Sequence, residues 1–331
     1  MRAERQKSDN RDVRGARGSC TVVFYHYVRD TRRTAFPAVN ALAVADFLSQ
    51  VERLRSVEPI LDHAALEAAL NGGLPLRGSS TLLTFDDGLV EHYTTVYPAL
   101  RERGLCGIFF IAGAGLASPP RLLAVHKTHF LLAKLGVQAF AADVRERLSV
   151  RSSDLSSPQQ GTDVYRYDGD VDSATKHLLN YELAFDEADR ILDELFREHI
   201  GDSGEFAAAL YLSRGMVREM ADAGMTFGFH TENHQVLSRL SRAQQLAEIG
   251  HGVRLVRELT GQWSVPFCYP YGHPHTYNAD TLAILAEVGY SMAFTTVRRP
   301  ADPVSDPRFE LPRFDTRDLP ISAGEQPVNS R

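Results

Sequence analysis

Two short stretches concentrate side chains able to do chemistry. Residues 84–88 read Thr-Phe-Asp-Asp-Gly, an adjacent carboxylate pair closing an apolar run. Residues 230–234 read His-Thr-Glu-Asn-His, two imidazoles four positions apart. On a helical turn that spacing would bring both rings to one face, close enough to share a metal ion. Two histidines and one aspartate make three protein ligands and leave a position for water, as catalytic zinc sites do. Asp86 and Asp87 are neighbours on an extended chain, so their side chains point to opposite faces. The pair can therefore be divided between a metal and a reacting water, and the spacing alone does not say which takes which. Asp-Asp-Gly is also ordinary turn chemistry, and a lone histidine pair is usually structural; their conjunction points to a metal site. His26, directly after another apolar run, is either a core histidine or a third reactive group.

These residues need a frame that brings them together. Short apolar runs at 21–25, 81–85, 107–111, 226–229, 265–269 and 292–295 read as buried parallel strands, with a weaker candidate at 208–212. Helical patterns alternate with them. Leu42, Val44, Phe47, Leu48, Val51 and Leu54 form one apolar face; 93–103 ends at Gly104, and 216–223 at Gly224. Ser241 with Gln244 has capping-box spacing, and Asn278 can cap a helix that stops before Gly289. Strand–helix alternation predicts an α/β fold with parallel units, an incomplete or distorted (β/α) barrel. In such barrels chemistry sits at the carboxyl ends of strands. His26, Asp86, Asp87, His230, His234, Tyr271 and His273 all follow strand candidates, on what would be one rim. Residues 119–205 break the rhythm and read as a helical insertion, with helices near 122–135 and 186–199 and a polar middle at 151–173. His126 and His129 in it read as ordinary helix histidines within reach of the rim. Residues 1–19 and 321–331 read as loose ends around a 20–320 barrel.

Composition narrows the classes. The chain has 331 residues, 44% hydrophobic and 24% charged, which excludes disordered and fibrous classes. A net charge of −6 gives a nucleic-acid partner no electrostatic support. Cys20, Cys106 and Cys268 are too far apart for a disulfide framework or a zinc pair. No apolar run is long enough for a membrane span, and the first 20 residues lack the apolar core of a secretion signal, so a cytoplasmic location is expected.

Taken together, the motifs resemble the polysaccharide deacetylases, also called NodB-like deacetylases or carbohydrate esterase family 4. Residues 84–88 are similar to that family's first motif, 230–234 to its second and 266–272 (Pro-Phe-Cys-Tyr-Pro-Tyr-Gly) to its third. The resemblance implies a NodB-like barrel, Asp86 as catalytic base, and a metal ion on Asp87, His230 and His234. Zinc is the default ion; cobalt, nickel or iron would suit the same ligands. It also implies an N-acetylated carbohydrate substrate, with Tyr271, Cys268 and His273 along its groove and a backbone N–H near Tyr271 facing the oxyanion. Two departures stand out. The third motif carries Cys268 where many members have an arginine, and no histidine follows His275 to supply the family's late acid. A circularly permuted branch, which includes poly-N-acetylglucosamine deacetylases, takes that histidine from a first-strand Tyr-His motif. Tyr25-His26-Tyr27 matches it, so His26 is expected to be the acid. Asp315 or Arg313, in Leu-Pro-Arg-Phe-Asp, would orient His26 or Asp86. The competing readings are a non-catalytic sugar-binding relative and a C–N hydrolase acting on a non-sugar amide.

Overall fold

The computed structural model describes residues 18–73, 75–149 and 169–321. Seven strands run parallel: β1 (Ser19–Tyr25), β2 (Ser79–Phe85), β3 (Ile108–Ile111), β4 (Thr226–Phe229), β5 (Phe267–Cys268), β6 (Ala293–Phe294) and β7 (Phe314–Asp315), in the order β6-β5-β4-β3-β2-β1-β7. Each of the six stronger strand candidates contains a strand, though β5 and β6 are only two residues long. The candidate at 208–212 is not a strand. Its first half is the last turn of a helix, and Tyr211 makes only an isolated antiparallel bridge to Leu89. Apolar continuity cannot separate a short buried strand from a buried helix end.

The sheet curls. Leu311 exchanges backbone hydrogen bonds with the β6 segment (Leu311 N–H to Ala293 O 2.9 Å; Thr295 N–H to Leu311 O 2.8 Å). Three residues later the same stretch pairs with β1, Phe314 beside Val23. Residues 311–315 therefore draw the two sheet edges together. The Phe110 and Phe294 rings, on strands that are not neighbours, meet at 5.7 Å across the interior. The strand pleat sorts side chains between two cores. Val22, Leu82, Ile108, Phe110, Cys268 and Phe294 fill the inside. Val23, Tyr25, Leu83, Phe85, Phe109, Phe227 and Phe267 face the surrounding helices.

Those helices are α1 (Val44–Val57), α2 (His63–Leu70), α3 (Tyr97–Glu102), α4 (Ala124–Leu135), α5 (Val137–Ser149), α6 (Asp170–His177), α7 (Phe185–His199), α8 (Ser203–Leu210), α9 (Arg214–Asp222), α10 (Arg242–Ile249), α11 (Gly252–Thr260) and α12 (Ala279–Val288). Local signals set their ends. The Ser241 and Asn278 side chains accept from Gln244 N–H and Thr281 N–H, and α12 stops at Gly289 in the left-handed region. Helices α4 to α8 lie between β3 and β4 and carry their own core. On α7 that face is Ala188, Ile191, Leu192, Leu195 and Phe196, the spacing of an amphipathic helix. This core continues into the barrel rim through Tyr27, Val39, Leu89, Ala112 and Ala114. Most of the polar stretch 151–173 lies outside the described residues, as do nearly all of the two ends. No helix among the described residues is long and apolar enough to cross a membrane.

Candidate active site

Asp86 continues the inward face of β2 (Leu82, Thr84, Asp86), its N–H still laddered to Tyr25 O at 2.9 Å. It is 2% exposed. Burial by itself pushes a carboxyl upward, but the Arg313 guanidinium overcomes this and holds Asp86 below its usual value. Arg313 donates Nη1 to Oδ1 and Nη2 to Oδ2, both at 2.9 Å, a bidentate pair. Its remaining donors reach Thr295 O (3.0 Å), Thr84 Oγ1 (3.1 Å) and Cys268 Sγ (3.0 Å). The ring of Phe24 lies 4.6 Å from its charged carbon.

Asp87 leaves the strand abruptly, at φ 77°, followed by Gly88 at φ 66°. A Cβ on Gly88 would sit 3.0 Å from Ile111, so the tight reversal needs glycine there. Four non-glycine residues among those described have positive φ: Asp87, Thr231, His234 and Tyr271. All four are at this rim, where such backbone persists because the surroundings hold it; each costs about 1–3 kcal/mol.

Two of those residues correct the expected helical turn at 230–234. The segment is a loop, and left-handed Thr231 and His234 bring the two imidazoles to one side without a helix. The ring centroids lie 4.8 Å apart. The loop is tied down by groups the sequence did not advertise. Glu248 accepts from Asn233 N–H (2.8 Å) and its side-chain amide (2.6 Å), and Glu232 pairs with Arg121 (2.8 Å) and His251 (3.1 Å).

Ligand-bearing atoms converge here. His230 Nδ1 lies 2.8 Å from the Cys268 carbonyl. A carbonyl only accepts, so Nδ1 carries the hydrogen and Nε2 presents a lone pair. That lone pair faces Asp87 Oδ1 at 3.5 Å, and His234 Nε2 faces the same oxygen at 3.7 Å. Asp87 Oδ1 and His234 Nδ1 are buried without a hydrogen-bond partner. Burial lowers the pKa of both imidazoles, that of His234 to about 3, so they stay neutral. For Asp87 burial acts upward, but the imidazoles around it, His126 first, hold it well below the ordinary carboxylate range. A buried anionic oxygen facing two neutral imidazole nitrogens suits a cation between them. Asp87, His230 and His234 can each place a ligand atom within 4.8 Å of the others, which fits a bound metal ion.

His26 stands over the carboxylates. Its Nε2 is 4.0 Å from Asp86 Oδ2 and 3.9 Å from Asp87 Oδ2, and its side chain is 39% exposed. His92 Nε2 meets the His26 carbonyl at 3.0 Å and fixes the strand end beneath it. His26, the two aspartates and both loop histidines open onto a cavity of about 650 Å³. Tyr271, His273 and Asp315 also line it, and the Tyr271 ring packs edge-on against His234 at 5.0 Å.

Cys268 does not line this cavity, contrary to the expectation. The inward pleat of β5 buries its side chain completely, with Sγ 3.6 Å from Asp86 Oδ2. Burial pushes its thiol up, so it sits as a neutral S–H beneath the carboxylate. Asp315 pairs with Arg317 at 3.0 Å, and the guanidinium on Asp86 comes from Arg313. Of the pairings expected for Arg313 and Asp315, the structure shows Arg313 on Asp86, a guanidinium that the third motif itself lacks. One contact was hidden in the sequence. His126 is not an ordinary helix histidine: its Nε2 lies 3.1 Å from Asp87 Oδ2.

The family model described as polysaccharide deacetylase matches residues 195–293, which include the 230–234 loop and β5. Over that stretch the chain is similar to the polysaccharide deacetylases. A curated relative, YxkH of Bacillus subtilis (strain 168), whose name places it among the polysaccharide deacetylases, is 31% identical over 86 residues. That match covers 26% of this chain and spans 30% of the relative's length. Three solved structures share the fold across nearly all of the chain. The Streptococcus pyogenes deacetylase PplD in complex with acetate superposes with a TM-score of 0.55 at 17% identity, covering 91% of this chain and 93% of that one. IcaB from Ammonifex degensii gives 0.54 at 18%, covering 90% and 91%. The BpsB deacetylase domain from Bordetella bronchiseptica gives 0.53 at 17%, covering 90% and 95%. At these identities the likeness concerns the fold: a curled parallel sheet of the NodB-like deacetylase type, with helices around it.

Proposed function

We propose that this chain is a metal-dependent N-deacetylase that hydrolyses the acetamide of an N-acetylated amino sugar. The observation that carries the reading is the division of labour between two adjacent carboxylates. Asp87 aims a partnerless oxygen at two neutral imidazoles, whereas Asp86 is held ionised by a bidentate arginine. The first arrangement holds a cation; the second keeps a base ready at neutral pH.

Asp87, His230 and His234 would hold the ion, zinc by default, with cobalt, nickel or iron suited to the same ligands. When bound, such an ion supplies Lewis acidity and lowers the pKa of a water molecule towards neutrality. Asp86 accepts the proton of the attacking water. Arg313 keeps that carboxylate charged and fixes the plane in which it accepts. His26, exposed to the cavity and within 4.0 Å of Asp86, delivers a proton to the departing amine nitrogen. Water and acetamide thus become acetate and the free amino sugar. Acetate is also the molecule held by the PplD structure. Tyr271 and His273 flank the sugar on the cavity wall. A first-strand histidine beside the base is the arrangement of the permuted deacetylase branch. The missing third-motif arginine slightly favours the sugar-binding, non-catalytic reading, and against it Arg313 supplies a guanidinium to Asp86.

The test is elemental analysis of purified protein, paired with acetate release from N-acetylglucosaminides with and without chelator. About one metal per chain is expected, lost in Asp87→Ala, with release abolished by the chelator. Protein that stays metal-free after reconstitution would overturn the metal reading. Release from a simple non-sugar acetamide, but from none of the glycosides, would move the substrate out of the sugars.

A further inference from the structure

His126 is contributed by α4, outside the barrel, and is fully buried. Its two ring nitrogens belong to one chain of hydrogen bonds. The Leu123 backbone N–H lies 3.0 Å from the Tyr211 hydroxyl oxygen. That hydroxyl lies 2.6 Å from His126 Nδ1. His126 Nε2 lies 3.1 Å from Asp87 Oδ2. The two ends set the direction of the chain. A backbone amide only donates and an ionised carboxylate only accepts. Tyr211 therefore accepts from Leu123 and gives its own hydrogen to His126 Nδ1. The ring then carries its hydrogen on Nε2 and donates it to Asp87.

This chain occupies Oδ2 and leaves Oδ1, the oxygen that faces His230 and His234 and has no hydrogen-bond partner. We propose that His126, with its tautomer set by Tyr211, is a positioning residue that makes Asp87 bind the metal through Oδ1 alone. The inference rests on the metal reading above. It also gives the insertion a part in the site: His126 touches no sugar and no water that reacts, but it orients a group that would hold the ion. Metal ligands are ordinarily held by such outer partners, and losing one typically costs about 10–100-fold in affinity. The support is itself braced. Lys127, the next residue, reaches Asp189 (2.6 Å) and Asp193 (2.8 Å) on α7, so α4 is clamped where it meets the rim.

The experiment measures zinc affinity by competition with a chromophoric chelator, together with thermal unfolding of the metal-free protein. His126→Leu should bind zinc about 10–100-fold more weakly. His126→Gln, whose side-chain N–H can still donate to Oδ2, should recover most of the loss. Tyr211→Phe keeps the ring but frees the tautomer, and should fall at the low end of that range, about 10-fold. A purely structural histidine would change unfolding without this graded effect on zinc. Unchanged affinity in His126→Leu, or equal losses in His126→Leu and His126→Gln, would overturn the proposal. If His126→Leu does not fold, unchanged affinity in Tyr211→Phe would overturn it. Wild-type protein that binds no zinc would instead defeat the underlying metal reading.

Discussion

The barrel rim and the helical insertion both reach the carboxylate of Asp87, by different physical means. The rim works through the strand pleat and a few left-handed residues. Asp86 points inward because it keeps register with Leu82 and Thr84, and Asp87 turns away at φ 77°. The insertion works through helix packing. Its amphipathic α7 and its neighbours bury one core, and that core presents His126 to the rim. The rim places several reactive groups within a few residues of one another. The insertion places one supporting group at the end of a long detour. On the proposed reading, chemistry belongs to the first region and support for a ligand to the second.

This contrast can be broken or sharpened. The largest effects should come from the rim. Asp86→Asn and His26→Ala should each lower kcat for acetate release by about 10²–10⁴-fold, the usual contribution of a general base or acid. Metal content should be retained in both. Loss of metal from either variant would mean that base, acid and ligand roles are not divided as drawn here.

Next comes the barrel interior. Arg313→Ala strips the partner from a nearly buried carboxylate, at 1% and 3% side-chain exposure for the pair. Urea denaturation should show a loss of about 3–5 kcal/mol, because an unpaired buried charge remains. A loss near zero would show that the Cys268 thiol, 3.6 Å away, and cavity water suffice to hold Asp86.

The smallest effect should come from the insertion. Lys127→Ala leaves Asp189 and Asp193 facing each other half-solvated, and should cost about 1–2 kcal/mol. Hydrogen exchange should rise in α4 and α7 while β1 and β2 keep their protection. Equal loosening of the strands would show that rim and insertion unfold as one unit.

Much of this was legible from short spacings. The six stronger strand candidates each contain a strand, and the residues placed at their ends do share one rim. The capping residues Ser241 and Asn278 act where their spacing put them. These features are encoded within a few neighbouring residues. Where the reading failed, a distant contact or a backbone choice intervened. The i, i+4 histidines suggested a helical turn, but Glu248 and Glu232 hold a loop whose two left-handed residues reach the same end. Cys268 belonged to a recognisable motif, but the pleat of a two-residue strand turned it inward.

Residue types and local periodicity were enough to specify the strands, the helix caps, the carboxylate pair and the histidine pair, because each depends on interactions a few positions apart. They offered Arg313 and Asp315 as alternatives for orienting His26 or Asp86, but not which would sit on Asp86, 227 positions from Arg313, nor that His126 would meet Asp87 from another core. Those pairings arise when the sheet edges meet and the insertion packs down. Burial then leaves each carboxylate only the partners that folding brings to it.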